Sequence, residues 1–378
     1  MESELQDLNA KPPKQPDPTR DDRPLLNSVS VPSAAATISI TELENKFAPF
    51  VRRDAYGAMG RGKLPTREKV LLGLALVTLV PVRLVAATAI LVVYYLICRV
   101  CTLCSGPNRE EEEDQEGYAH LVGWRRIVIV QCGRALSRLM LFVLGFYWIS
   151  KSYSIPQTHA TTEENKGQPE AMGRPGVIIS NHVSYLDIFY HMSSSFPSFV
   201  AKRSVAKLPL VGLISKCLGC IYVQRESKSS DFKGVSAVVT ERIREAHQNM
   251  SAPMMMLFPE GTTTNGEFLL PFKTGGFLAT APVLPVILNY HYQRFSPAWD
   301  SISGVRHVIF LLCQFVNYME VIQLPTYYPS QQEKASAKVY ANNVRRLMAS
   351  EGNFILSDIG LAEKRIYHAT LNGLSSQC

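Results

Sequence analysis

The chain has no G-x-S-x-G turn to raise a nucleophilic serine, no D-x-D-x-D-G calcium loop, no stripe of Lys and Arg interleaved with aromatics, and no internal repeat. These absences argue against a serine-elbow hydrolase, calcium control through EF-hands, and a nucleic-acid partner. Charged residues make up only 19% of the 378 residues and the formal net charge is a mild +7. That balance suits an anionic membrane surface or a phosphate-bearing substrate. Eight cysteines are too few for a disulfide framework in a chain of this length. Cys98, Cys101 and Cys104 echo the spacing of Cys217 and Cys220, but joining them into a zinc site would span more than a hundred residues. At the end of an apolar segment, the first three are candidates for palmitoylation, or simply free thiols. The first apolar run begins near Val70, too far from Met1 for a signal peptide to be expected.

What is present divides the chain into four stretches. Residues 1–41 are polar and proline-rich and read as a disordered tail. Residues 42–116 hold a basic flank, a membrane segment at 70–98 and an acidic run expected to be a solvated loop. Within the membrane segment Pro81 and Arg83 break the apolar pattern. A single span would set Arg83 near mid-bilayer at about 2.5–3.5 kcal/mol, so the reading favours a re-entrant helical hairpin turning at Pro81. Residues 117–175 carry a short apolar patch, Leu139 to Ile149, expected as an interfacial helix. Residues 176–378 are expected to form the catalytic domain.

In that last stretch β-rich runs alternate with helical ones. Strands are expected at residues 177–179, 221–223, 254–258, 283–288 and 319–322. Val235, Val239, Ile243 and Ala246 step by three or four, the mark of an amphipathic helix. Ser330 and Glu333 form a capping box ahead of a helix through about Met348. The fold class is therefore α/β, with a mixed, largely buried sheet and flanking helices, preceded by the membrane hairpin.

Chemistry concentrates at the ends of these strands. His182 follows the first strand, and Asp187 lies five residues on. In one regular helix the two would sit about 140° apart, but they can meet if His182 lies on the turn and Asp187 in the first helical turn. A carboxylate on one imidazole nitrogen frees the other to take a proton. A loop histidine beside a capping aspartate fits the same spacing. Glu260, Gly261, Thr262 and Thr263 form a sharp turn after another strand, whose N–H groups can face an anion. Arg225 ends a third strand, as a phosphate ligand or a surface charge.

Taken in order, His182 to Asp187, Gly219 to Arg225, Phe258 to Thr262 and Val283 to Val286 resemble the four blocks of the glycerolipid acyltransferase family. The ending Arg365 to Asn372 and the run Phe272 to Gly275 resemble its plant lysophosphatidylethanolamine and lysophosphatidylcholine branch. The resemblance implies acyl transfer from acyl-CoA to a lysophospholipid hydroxyl, with acyl-CoA as co-substrate and no cofactor or metal. It implies His182 and Asp187 as the catalytic pair, and Arg225, Glu260, Gly261, Thr262 and Thr263 around the acceptor. Backbone donors near Gly261 or the start of the His182 helix would hold the oxyanion. Glu260, which cannot itself bind phosphate, would orient Arg225 or a hydroxyl. Thr263, where lysophosphatidate-acylating relatives carry arginine, would leave room for an esterified headgroup. The implied setting is the endoplasmic reticulum membrane with the site facing the cytosol. The rival enzyme reading acylates glycerol-3-phosphate or lysophosphatidate, and the non-enzyme reading is a membrane scaffold with an inactive site.

Overall fold

The computed structural model describes residues 40–110, 115–118, 120–154, 174–223 and 229–375. A short helix α1 (Ile40–Lys46) precedes the long α2 (Thr66–Thr102), the hairpin strands β1 (Asn108–Glu110) and β2 (Gln115–Gly117), and α3 (Trp124–Val143). Strands β3 (Ile149–Tyr153) and β4 (Val177–Ser180) lead to α4 (Leu186–Ser194), β5 (Ser198–Lys202) and α5 (Val211–Cys217). Next come β6 (Ile221–Val223), α6 (Ser229–Gln248), β7 (Met255–Leu257), β8 (Phe268–Leu269) and β9 (Val283–His291). The chain closes with α7 (Gly304–Cys313), β10 (Tyr318–Gln323), α8 (Gln331–Ala335), α9 (Ala337–Gly352), β11 (Ile355–Leu356) and α10 (Leu361–Ser375).

Seven strands form one mixed sheet in the order β3-β10-β9-β4-β7-β5-β6. Neighbours from β9 to β6 pair in parallel, while β10 runs antiparallel to β9 and carries β3 parallel to itself. Both faces are covered, as the apolar β4 requires, since all four of its residues are buried. Alternation along the strands sorts the core into two layers. Ile178, Met256, Leu288 and Val321 pack with Tyr94, Ile129 and Leu186 from α2, α3 and α4. Val177, Ile179, Met255 and Ile287 face Val239 and Ile243 of α6 and Tyr340 and Val344 of α9. The parallel strands bring the C-terminal ends of β4, β7 and β9 to one edge, where α/β sheets place ligands.

Three expectations are corrected. The membrane segment does not turn at Pro81: α2 runs unbroken for 37 residues, about 55 Å at ~1.5 Å per residue. Its length and apolar composition are sufficient to cross a membrane. The hairpin argument assumed that Arg83 faces lipid. Arg83 is instead buried against the domain, donating to the carbonyls of Leu312 (3.0 Å) and Phe315 (3.0 Å) and to that of Gln314. Those are orphan acceptors at and just past the end of α7, where a cation also meets the negative end of the helix dipole. The apolar patch at residues 139–149 is not one helix. Its first part ends α3, and Ile149 opens β3. The ends of the acidic run pair as β1 and β2.

Other expectations meet their elements with small changes. Ser330 and Glu333 form the capping box, but the helix behind it is split at Ser336, whose side chain caps α9 through the Val339 N–H. Cys98 and Cys101 are buried, and of the three only Cys104 is exposed, which removes the first two as palmitoylation sites. Among the described residues no group of His, Cys, Asp or Glu is placed to hold a metal.

Candidate active site

His182 sits on the loop between β4 and α4, and Asp187 in the first turn of α4, so the two converge across a turn rather than along a helix. Imidazole Nδ1 lies 2.9 Å from Asp187 Oδ2. A carboxylate only accepts, so the proton resides on Nδ1 and Nε2 is left as the acceptor. Asp187 is fully buried, whereas the imidazole keeps 19% of its side-chain surface. The Phe258 ring, at the end of β7, stacks on it at 3.9 Å and 15°, which fixes the ring plane.

Asp187 Oδ2 also accepts from the backbone N–H of Val183 (2.8 Å) and of Ser184 (3.0 Å). Oδ1 accepts from the Tyr290 hydroxyl at 2.6 Å. Tyr290 lies near the end of β9, 103 positions from Asp187, and no local pattern pointed to it. The loop is latched from further sides. Asn181 exchanges two hydrogen bonds with the Leu288 backbone, Thr264 N–H donates to His182 O, and Trp299 N–H donates to Val183 O.

Glu260 is turned inward. Oε1 accepts from the His182 N–H (2.8 Å) and Oε2 from the Leu270 N–H (2.9 Å), with the residue 3% exposed. In this position it holds the histidine backbone. Burial raises its carboxyl above the usual range, and the two N–H donors oppose that shift by favouring the anion. Gly261 adopts φ +71°, a left-handed conformation that favours glycine, and a Cβ there would come 2.8 Å from Lys273 Nζ, a contact the flexible lysine can relieve. Lys273, part of the run Phe272 to Gly275, brings its ammonium over this turn. Thr262 is half-buried beside it.

Thr263 is turned toward the protein. Its hydroxyl donates to Trp299 O (2.5 Å) and accepts from Lys364 Nζ (2.8 Å), which also donates to Thr263 O (2.7 Å). Lys364 comes from α10 and burial pulls its ammonium down to about 8. An arginine at position 263 would meet this buried cation. The donors expected for an oxyanion are largely committed as well: Gly261 N–H to Phe258 O, and those of His182, Val183 and Ser184 to carboxylates. Arg225 lies outside the described residues.

Such a site can take a proton from a hydroxyl at the open edge of a parallel sheet. Comparison with protein families matches residues 157–289 to the family described as Acyltransferase. Lysophospholipid acyltransferase LPEAT1 of Arabidopsis thaliana is 63% identical over 395 aligned positions, covering 100% of this chain and 98% of that protein. The chain belongs to the acyltransferase family. Within that family it is also similar to lysophospholipid acyltransferase LPEAT2 of Arabidopsis thaliana, at 31% identity over 64% of this chain and 43% of the relative. Lysophosphatidylcholine acyltransferase 1 of Homo sapiens is 31% identical over 76% of this chain and 49% of the relative. The chain thus spans about half the length of these two acyltransferases.

The Glu260 geometry makes a sharp prediction. Glu260→Gln is nearly isosteric but turns an NH2 group toward one of two buried N–H donors, which then loses its acceptor at about 1–3 kcal/mol. The variant is expected to keep its circular dichroism spectrum while kcat falls about 10²-fold. Turnover within twofold of wild type would mean that Glu260 does not hold the histidine loop.

Proposed function

We propose that the chain is an acyl-CoA-dependent lysophospholipid acyltransferase, with His182 as general base and Asp187 as the group that orients it. The supporting observation is the 2.9 Å His182–Asp187 pair at the ligand edge of the sheet, in a chain 63% identical end to end to a lysophospholipid acyltransferase. Nε2 takes the proton of the free glycerol hydroxyl as its oxygen attacks the thioester carbonyl. The C–S bond breaks, and the departing CoA thiolate collects the proton from the imidazolium. Lysophosphatidylethanolamine is the acceptor we favour, on the strength of that relative and of the sequence likeness, since the inward-turned Thr263 no longer argues for it. Arg225 and Lys273 are the cations we assign to the acceptor's single phosphodiester charge, with Gly261 and Thr262 forming the turn beneath it. Acyl-CoA and a lysophospholipid are thus the substrates; no cofactor enters the reaction.

The membrane is the third partner. Along its length α2 touches one and the same domain. Glu68 pairs with Arg294, Arg83 caps α7, Tyr94 donates to Ile129 O, and Cys98 and Cys101 are buried. The opposite face leaves Val70, Leu74, Val77, Val85, Val93 and Val100 exposed. Contacts with one domain at Glu68, Arg83 and Tyr94 favour a helix whose two ends stay on the same side of the bilayer. We therefore assign α2 to the plane of the cytosolic leaflet of the endoplasmic reticulum, its apolar face in lipid.

Two expected outcomes test these readings. Across an acceptor panel the purified enzyme uses lysophosphatidylethanolamine ahead of lysophosphatidate, and His182→Ala loses about 10²–10⁴-fold in kcat. A preference for lysophosphatidate or glycerol-3-phosphate selects the rival enzyme, and unchanged turnover in His182→Ala removes the base. In sealed microsomes, Cys104 and a Lys63→Cys thiol are both labelled by an impermeant maleimide from the cytosolic side. Protection of one of them alone would make α2 a span.

A further inference from the structure

The donor on the far oxygen of Asp187 has no role in the pair as it is read from the sequence. Tyr290 reaches it from β9, the strand beside β4, with 2.6 Å between the hydroxyl and Oδ1. The contact is partly buried and packed from one side. Phe146 meets the Tyr290 ring edge-on at 5.9 Å, and burial together with the neighbouring Asp187 holds the phenol well above its ordinary range. Tyr290 therefore stays protonated and can only donate to the carboxylate. Oδ2 is already crowded by three donors, so the Tyr290 hydroxyl alone answers Oδ1 among the described residues.

We propose that Tyr290 is a positioning residue of the acyl-transfer reaction, completing a His182–Asp187–Tyr290 chain that fixes how much negative charge Asp187 presents to the imidazole. The inference rests on His182 acting as the base. Its physics follows from charge sharing along hydrogen bonds. A donor on Oδ1 draws carboxylate charge away from Oδ2, which moderates the pull on the imidazolium, and it fixes the carboxylate plane that aims Nε2. Remove the hydroxyl, and the carboxylate leans harder on the protonated ring while losing one of its fixed points.

Other groups face this chain and would remain in place. His191, one turn along α4 from Asp187, is buried and pulled down to about 4, so it stays neutral. Glu260 approaches from the loop after β7, near enough for the Asp187 charge to oppose its ionisation. Tyr185, at the start of α4, is buried and raised, hence uncharged. None of the three donates a hydrogen bond to Oδ1 among the described residues.

The test uses the full-length enzyme in its membranes. Tyr290→Phe keeps the ring and its edge contact with Phe146 while deleting only the hydroxyl. We expect kcat to fall about tenfold with KM for acyl-CoA unchanged. The acidic limb of the kcat/KM profile should move up by about half a pH unit, because the imidazolium is held to higher pH. Tyr290→3-fluorotyrosine, a stronger donor of nearly the same shape, should move the limb down, and it serves alone if the phenylalanine variant fails to fold. A limb that stays in place in both variants overturns the proposal, whatever happens to kcat, because a purely structural tyrosine would lower activity without moving the profile. A wild-type-like His182→Ala would instead remove the general-base reading itself, so the two failures are separate.

Discussion

The Asp187 carboxylate is the fixed point of the molecule's chemistry. Burying an ionised carboxylate costs several kcal/mol unless it is surrounded by donors, and here three donors come from the turn ahead of α4 and the fourth from β9. The Val183 and Ser184 N–H groups bend the chain into the turn that precedes α4. His182 Nδ1 brings in the partly exposed imidazole, and Tyr290 reaches in from the neighbouring strand. The same contacts that make the charge tolerable therefore define the turn, the tautomer and the direction of Nε2. Glu260 repeats the device one shell outward. Its two oxygens bind the His182 N–H and the Leu270 N–H, so the loops after β4 and β7 cannot move independently.

Elements preceding and following the stretch that matches the family extend this frame. Asn265, four residues past Gly261, donates to Ala48 O and Val51 O, and its N–H to Pro49 O. Buried Arg52 pairs with Asp54 and with Asp300, whose backbone carbonyl accepts from His368 of α10. Lys364 closes the circuit onto Thr263 and Trp299. The turn that follows β7 is thus held by the chain ahead of α2 and by the last described helix together.

What could be read in the sequence follows from how local each signal is. The five expected strands and α6 carry their own apolar period, and the capping box at Ser330 is complete within four residues, so all of these could be found. The approach of His182 to Asp187 was legible because a turn followed by a helix start leaves few other geometries. Strand β3 was hidden because Ser150, Lys151, Ser152 and Tyr153 are exposed at the sheet edge and present no apolar face. Arg83 misled because its partners, Leu312, Gln314 and Phe315, lie about 230 positions away and turn an apparent lipid-facing charge into a helix cap. Thr263 and Glu260 likewise have partners that no local pattern shows. Motif residues read as facing substrate are turned into the protein, toward Lys364 on α10 and toward the backbone of His182.

The central claim is direct transfer, with a base that activates the acceptor and no acyl group ever carried by the protein. Purified enzyme given radiolabelled acyl-CoA, with CoA thiol and protein-bound label followed together, tests it most directly. Release of CoA is expected only once lysophosphatidylethanolamine is added, one thiol for each molecule of phospholipid formed, with no label on the protein at any time. A burst of CoA without acceptor, leaving about one labelled acyl group per chain, would contradict it and call for a nucleophile in place of the proposed base.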